Sequence, residues 1–527
     1  MALNLASPGI VVREVDLTIG RVDATSGSIG ALVAPFTKGP VEDAQLIESE
    51  EDLLQTFGQP YSVDKHYEYW MVASSYLAYG GTLQVIRADD YNTLTGVGLK
   101  NAFVGTASSI RIKSDTHYNQ LGYDDNTITG VTVASKTPGT YANGLRVAII
   151  DAKADQILTV SGISTVGLAV TQTAAGRIVA GSAGTSVLDG YIKGVVTGFT
   201  GTTADVKVLA HVSTAGTVTN VNYQNGGVYN FATGTVSVTA AGSNIAPTTA
   251  QTVSATTDWF ESQNIVLTQT DANGNPISLE WDQLADAPGT STYAAARGGR
   301  FDEVHVVVVD DKGTITGNAG TILEKHLNLS KAKDAEYSVG STAYWRKYLY
   351  NTSTNVFGGS QPAGVVATNF SSGFTPATDI AWDQDAEGIS FAGSGSNTYT
   401  LSGGVNYQGG SSLTASGALT ATLGEISTGY ELFENTENFD VDFLLMGSGS
   451  GTKSTVQAKA NKIIQVAEIR KDAIAFISPN RGTFINDGTV GTVTVNNDSE
   501  ITKQVVEFYS PITSTTYGVF DSGYKYM

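Results

Sequence analysis

The sequence predicts an α+β multidomain protein: a mixed α/β core domain split by inserted, protruding β-rich domains. Three observations carry this. Residues 21–92 alternate strand-like and helix-like patterns over short connections. Residues 93–375 turn to strands and glycine-rich turns. From 376 to 527 the mixed texture resumes, with a strand–helix–strand run that implies a parallel sheet. At 527 residues the chain exceeds one hydrophobic core, so several domains are expected. The economical arrangement is an arm at 1–20, one core built from 21–92 and 376–527, and a protrusion at 93–375 with a nested β-module at about 156–256.

Each element follows from its local pattern. Pro8 and Gly9 break the chain before a β-branched run, Ile10-Val11-Val12-Arg13-Glu14-Val15. Ile10, Val12 and Glu14 point one way, Val11, Arg13 and Val15 the other. A lone terminal strand is unstable and must join a sheet. That sheet is either the chain's own or a neighbouring subunit's, to which Gly9–Val15 would be donated. Residues 28–38 read as a buried strand closed by Gly39-Pro40. Ser49 caps a short helix that ends at Gly58. Asp64 is placed to cap the next helix, Lys65 to Tyr79, with Tyr69, Val72, Ala73, Tyr76 and Leu77 on one face. Leu83 to Ala88 is a strand.

In the β-rich region, Gly144–Asp151 and Phe301–Asp310 are the clearest strands, and Val304 to Val309 must be buried on both faces. Within 156–256, Gly226-Gly227 and Ala241-Gly242 mark turns between short strands. Residues 351–398 read as a long loop or linker. A helix from about Leu419 to Glu434 precedes a strand at Phe439–Met446. A helix follows over Thr455–Lys471, with Val456, Ala460, Ile463, Ile464 and Ala467 as its apolar stripe. Ala473–Ile477 is a strand stopped by Ser478-Pro479.

Composition excludes several classes. The formal charge of −20 opposes binding to phosphate backbones, so no nucleic acid is expected. No apolar run reaches membrane-spanning length, and no signal peptide is recognisable. Cysteine is absent, which removes disulfides, thiolate metal sites and cysteine nucleophiles together.

Candidate chemistry is sparse. Gly447-Ser448-Gly449-Ser450-Gly451-Thr452-Lys453-Ser454 lies between a strand and a helix, where a phosphate loop would lie. Its spacing fits neither phosphate fingerprint, because Thr452 separates the last glycine from Lys453. His66, His117, His211, His305 and His326 show no metal-ligand spacing, and His305 reads as a core residue. Asp310-Asp311-Lys312-Gly313 reads as a solvated turn. Asp440 and Asp442 share a strand face and form a solvated edge or a cation site. Ser402-Gly403-Gly404 is a turn with no histidine near it in sequence. Tyr67, Tyr69, Trp70, Tyr76 and Tyr79 read as helix packing, not a base-stacking platform. No enzyme activity, cofactor or metal is expected.

Several segments together are similar to one family. They are Ser7-Pro8-Gly9-Ile10-Val11-Val12-Arg13-Glu14, residues 51–60 (EDLLQTFGQP), 77–88 (LAYGGTLQVIRA), 138–145 (PGTYANGL), 400–404 (TLSGG) and Ser454 to Pro479. Their order and spacing resemble the contractile tail sheath proteins of myovirus-type bacteriophages. Residues 156–256 have no clear counterpart there. The resemblance implies a virion protein of the tail sheath, assembled in the host cytoplasm. It implies stacked hexameric rings of identical subunits around a tail tube protein, contacting baseplate and tail terminator proteins. Contraction would drive the tube through the host envelope without membrane insertion of the sheath. It also favours donation of Gly9, Ile10, Val11, Val12, Arg13, Glu14 and Val15 to a neighbour. The sheath of a related contractile injection system, or a β-rich glycan-binding fibre or adhesin, are the alternatives. The family continues past the motif that Tyr524-Lys525-Tyr526 resembles, so the core is expected to be incomplete at its C-terminus. This chain alone is then expected not to form contractile tubes.

Overall fold

In the computed structural model the described residues are 28–123, 128–151, 153–160, 166–181, 184–221, 228–239, 249–259, 263–270, 273–362, 382–393, 395–410, 419–484 and 497–522. Gly9–Val15 and the turns at 226–227 and 241–242 lie outside them.

One six-stranded sheet draws strands from two distant stretches of chain. The first supplies β1 (Ile29–Ala34), β2 (Gln45–Ile47), α1 (Glu50–Phe57), α2 (His66–Ala78) and β3 (Thr82–Arg87). The second supplies α3 (Leu423–Glu431), β4 (Phe443–Leu445), α4 (Lys453–Arg470), β5 (Ile474–Ile477), α5 (Asp498–Tyr509) and β6 (Gly518–Phe520). The strand order is β2-β3-β1-β4-β5-β6. β1 pairs in parallel with both β3 and β4, and β4–β5 and β5–β6 are parallel too; β2 alone runs antiparallel. Helices cover both faces, as crossover connections between parallel strands require. Ala31, Val33, Leu444, Ala475 and Ile477 pack beneath α3, α4 and Phe508 of α5. Leu32, Ala34, Leu83, Val85 and Leu445 pack against Leu53 and Phe57 of α1 and Trp70, Ala73 and Leu77 of α2.

The expected caps hold where the backbone is regular. Ser49 Oγ accepts from Asp52 N at 3.1 Å, and Gly58 ends α1 at φ 87°. The stripe of α4 is buried at all five expected positions. Four expectations are corrected. Asp64 does not cap α2: it sits at φ 52°, Lys65 occupies the cap at φ 60°, and the Asp64 carboxylate accepts from Leu419 N at 3.2 Å. The helix expected from Leu419 begins at Leu423, where Thr422 and Glu425 form a reciprocal capping box, and it ends in a 3₁₀ turn at Leu432–Glu434. The Phe439–Met446 strand shortens to Phe443–Leu445. The 351–398 stretch is not all linker: Val356–Gly358 is a strand, and Trp382 is buried edge-to-face on Trp345 at 5.6 Å.

Between the two halves of the sheet, strands dominate. A four-stranded antiparallel sheet orders as 321–330, 303–310, 145–151 and 397–400. Val304 to Val309 are all buried. A three-stranded sheet joins 356–358, 131–135 and 103–105. Short helices at 115–120, 292–296 and 345–352 interrupt the β texture.

The nested block is a closed antiparallel barrel. Its wall runs 191–200, 169–173, 234–239, 249–258, 156–160 and 203–212, and pairing of 203–212 with 191–200 closes it. Leu158, Val170, Ile192, Val196, Val206 and Phe231 fill the interior. Strands reach ten residues, longer than the short strands expected. Closure removes edges within the wall, which an open sheet would leave unpaired. Phe301 packs against Val195, Leu209 and Ala210 of the wall. Beside this contact lie two buried ion pairs, Lys207–Asp155 at 3.5 Å and Lys331–Asp151 at 2.5 Å.

Candidate functional site

Three of the family-like segments, 77–88, 138–145 and 400–404, converge on one junction. Arg87 ends β3 and is fully buried. One guanidinium nitrogen donates to Gly39 O at 2.9 Å and Pro138 O at 2.7 Å, and the other donates to Thr37 O at 3.4 Å. The Tyr407 ring lies 5.8 Å from the guanidinium carbon. Burying a cation is costly unless its donors are satisfied; here carbonyls of two loops, one at 37–39 and one at 138, take the two terminal nitrogens, while Nε is buried without a hydrogen-bond partner among the described residues. Gly139 has φ 140°, and a Cβ there would come within 2.6 Å of Thr37 O, so only glycine passes. The Asn143 amide both donates to Gly404 O at 2.9 Å and accepts from Gly404 N at 2.8 Å. Asn406 holds Thr140 in the same two-way fashion, accepting from its N at 3.0 Å and donating to its Oγ1 at 2.8 Å. Tyr407 Oη donates to Ala88 O at 2.8 Å. The β-rich region is thereby fastened to the end of β3 by hydrogen bonds from both of its flanks.

The glycine-rich 447–454 loop serves a second seam, between α2 and α4. Thr452 caps α4 by accepting from Thr455 N at 3.3 Å. Lys453 reaches away from the loop, donating to Gln504 at 2.6 Å and Glu507 at 2.8 Å on α5. Gly447 lies at φ 70° under Tyr69, whose ring a Cβ would meet at 2.7 Å. Ser448 Oγ donates to Glu68, whose other oxygen accepts from Arg481 at 2.6 Å. Arg481 also donates to Tyr67 Oη at 2.7 Å. Lys459 is buried beneath the loop, donating to Ser448 O at 3.1 Å and Tyr69 Oη at 3.3 Å. Burial pushes its ammonium down to about 7, and nearby Glu68 opposes part of that shift. The loop's glycines and serine thus hold helices together, and its lysine is committed to α5.

The other sequence candidates separate. His305 behaves as a core residue: Nε2 bonds Asp286 O at 3.0 Å, Nδ1 accepts from Asn328 N at 2.9 Å, and the ring stacks on Trp281. Burial pushes it down to about 4, and His66 likewise. The Asp310–Gly313 turn is corrected: Asp310 and Asp311 are fully buried. Asp310 accepts from the backbone of Thr314, Ile315 and Thr316 at 2.8–2.9 Å, and Asp311 accepts from Thr268 N at 2.7 Å and pairs with Arg146 at 3.1 Å. Threonine-rich neighbouring segments supply donors enough to keep both carboxylates dry. Asp442 accepts from Ile29 N at 2.9 Å and so starts β1. Tyr79 is 86% exposed and does not pack with the other α2 aromatics. Among the described residues no group of three or more His, Asp or Glu is arranged to hold a metal, and no helix is long and apolar enough to cross a membrane.

Among the described residues the sheet also ends in an unpaired edge, where β6 pairs only with β5. On the face that α1 and α2 cover farther in, Ile474, Phe476 and Val519 are exposed in a row. Local patterning does not mark this face, because a covered and an uncovered apolar strand read alike; exposed apolar sheet surface is what the expected incompleteness of the core implies.

No family model matches the chain. A solved sheath tail protein from Listeria innocua is 17% identical over 44% of this chain and 34% of its own, with a TM-score of 0.15, too low to carry any argument. The tail sheath protein of Enterobacteria phage T4 is 36% identical over 91 residues, which is 17% of this chain and 13% of that protein. The tail sheath protein of Vibrio phage KVP40 is 23% identical over 559 residues, spanning 99% of this chain and 70% of that protein. The chain is thus similar in sequence to the tail sheath proteins of two phages, over a short stretch for one and along its length for the other.

Proposed function

We propose that the chain is a structural, non-enzymatic subunit of a contractile phage tail sheath. It polymerises with copies of itself as stacked hexameric rings around the tail tube, and contraction drives the tube through the host envelope. The observation that carries this is the match to the KVP40 tail sheath protein along 99% of the chain. Residues 21–92 and 376–527 act as the sheath core and 93–375 as its protrusion, with the module at 156–256. In support, strands from 29–87 and 443–520 hydrogen-bond into one sheet.

Assembly takes place in the host cytoplasm, with baseplate and tail terminator proteins at the two ends. Gly9–Val15 of the arm at 1–20 add a strand to a neighbour's sheet. Main-chain bonding suits this role, since it holds subunits through a rigid-body shift while side-chain contacts change. The edge of β6, which pairs with no other described strand beyond β5 and lies beside the exposed Ile474–Phe476–Val519 row, is a fitting acceptor.

Antibodies raised against residues 156–256 provide the test. They should decorate isolated tails at regular spacing along their length. Label confined to the tail tip, or no label, overturns the assignment.

A further inference from the structure

The barrel carries an edge that no described part of the chain covers. Strands 169–173 and 191–195 pair in the wall, and their ladder runs on beyond it. Ala174 N donates to Gly190 O, Gly176 N donates to Leu188 O, and Ile178–Gly181 pairs antiparallel with Gly184–Val187. The result is a two-stranded ribbon continuing the ladder past the barrel wall, neither outer edge of which pairs with a described strand. Ile178 and Val187 face each other across it and are 60% and 66% exposed. Val218, also exposed, lies on the edge strand Val218–Asn220 at the same end: it pairs with Val212, which pairs with Tyr191 at the ribbon's root.

Two four-residue arms are marginal in water by themselves. Folded proteins usually guard such edges with charge or proline. Here no Lys, Arg, Asp, Glu or Pro occurs between Arg177 and Asp189. An unguarded, apolar, two-stranded edge is built to be covered.

Charge identifies what covers it. Residues 156–256 hold three basic and two acidic residues, a formal +1. The remainder of the chain holds 27 basic and 48 acidic residues, a formal −21. Bodies of like sign repel. The barrel is the stretch through which two copies approach without that cost, and its slight positive balance favours an acidic neighbour. We infer that the paired strands Ile178–Gly181 and Gly184–Val187, with Val218, form a contact between copies of this chain, covered by the adjacent copy in the assembled tail. This rests on the assembly reading above and names the surface it uses.

The chain has no cysteine, so Ile178→Cys supplies a single thiol at an exposed site. Its alkylation by a maleimide should be on the order of tenfold slower in isolated tails than in the free chain, because reaction then waits on local opening. Val187→Glu should lower the fraction of chain incorporated into tails while leaving the thermal unfolding of the free chain unchanged. Equal alkylation rates in tails and free chain, or unchanged incorporation of Val187→Glu, overturn the inference while leaving the sheath assignment standing. Absence of the wild-type chain from tails overturns both.

Discussion

Arg87 shows how one buried side chain joins distant parts of a chain. Its guanidinium satisfies carbonyls of Gly39, Pro138 and Thr37, and no other residue type offers five donors in a planar fork. Arg87→Met should leave those carbonyls dry and destabilise the chain by roughly 2–4 kcal/mol, read from the shift of the urea midpoint at constant slope. Lys459 makes a prediction about pH. Its folded value of about 7 lies below its ordinary 10.5, so between these the unfolded chain binds more protons than the folded one. Stability attributable to this group therefore rises with pH across that window and is lost as pH falls toward 7. Lys459→Met should abolish that rise, measured as urea midpoints at pH 7 to 9.5, below the range where tyrosines titrate. His66 and His305, held near 4, act in the same direction lower down: both lose stability as pH falls from 6.5. At this scale the sequence was only partly legible. His305 announced its burial through the valines around it. Asp310 and Asp311 looked like a wet turn because Thr268 reaches Asp311 only through folding, and because the nearby 314–316 backbone satisfies Asp310 only once the chain curls back over it.

At the scale of elements, legibility followed the caps. Ser49, Gly58 and the stripe of α4 placed their helices closely, since cap chemistry and apolar spacing are local properties. The start of α2 escaped because Asp64 and Lys65 both adopt left-handed backbone, a choice made by packing and not by residue type. The helix α5 was overlooked although Asn497 and Glu500 carried an N-terminal signal. One packing contact was invisible in sequence: α3 presses Gly429 onto β1, where a Cβ would lie 2.4 Å from Val33 Cγ1. Gly429→Ala should cost about 1–3 kcal/mol through overpacking. Adding Val33→Ala should recover part of that loss, so a double-mutant cycle by denaturant unfolding should return a favourable coupling between the two substitutions.

Over the whole molecule, the strand–helix–strand pattern at 443–477 announced a parallel sheet, and the structure completes it with β1 and β3 from the other end of the chain. Barrel closure was not legible, because pairing of 191–200 with 203–212 depends on how six strands curl together. The formal charge of −20 has a global consequence. Self-association of the chain should strengthen as salt rises from about 0.02 M to about 0.3 M, where the screening length drops to well under 10 Å. Sedimentation velocity across that series checks the sign. The barrel's attachment has a further consequence. Its first and last strands meet side by side, with Gln156 opposite Asp258 and Trp259 N donating to Asp155 O at 3.1 Å. Entry and exit therefore share one doorway, and everything between them is a cassette. Evolution could trade it for a tight turn, or for another fold of any size, without re-threading the host sheets. The exchange has a toll: Asp155 would lose Lys207, Phe301 its packing on Val195, Leu209 and Ala210, Arg300 its carbonyl partners Leu209 and Val221, and the assembly the ribbon contact inferred above. The doorway at 155–259 is still a natural splice point for displaying foreign domains.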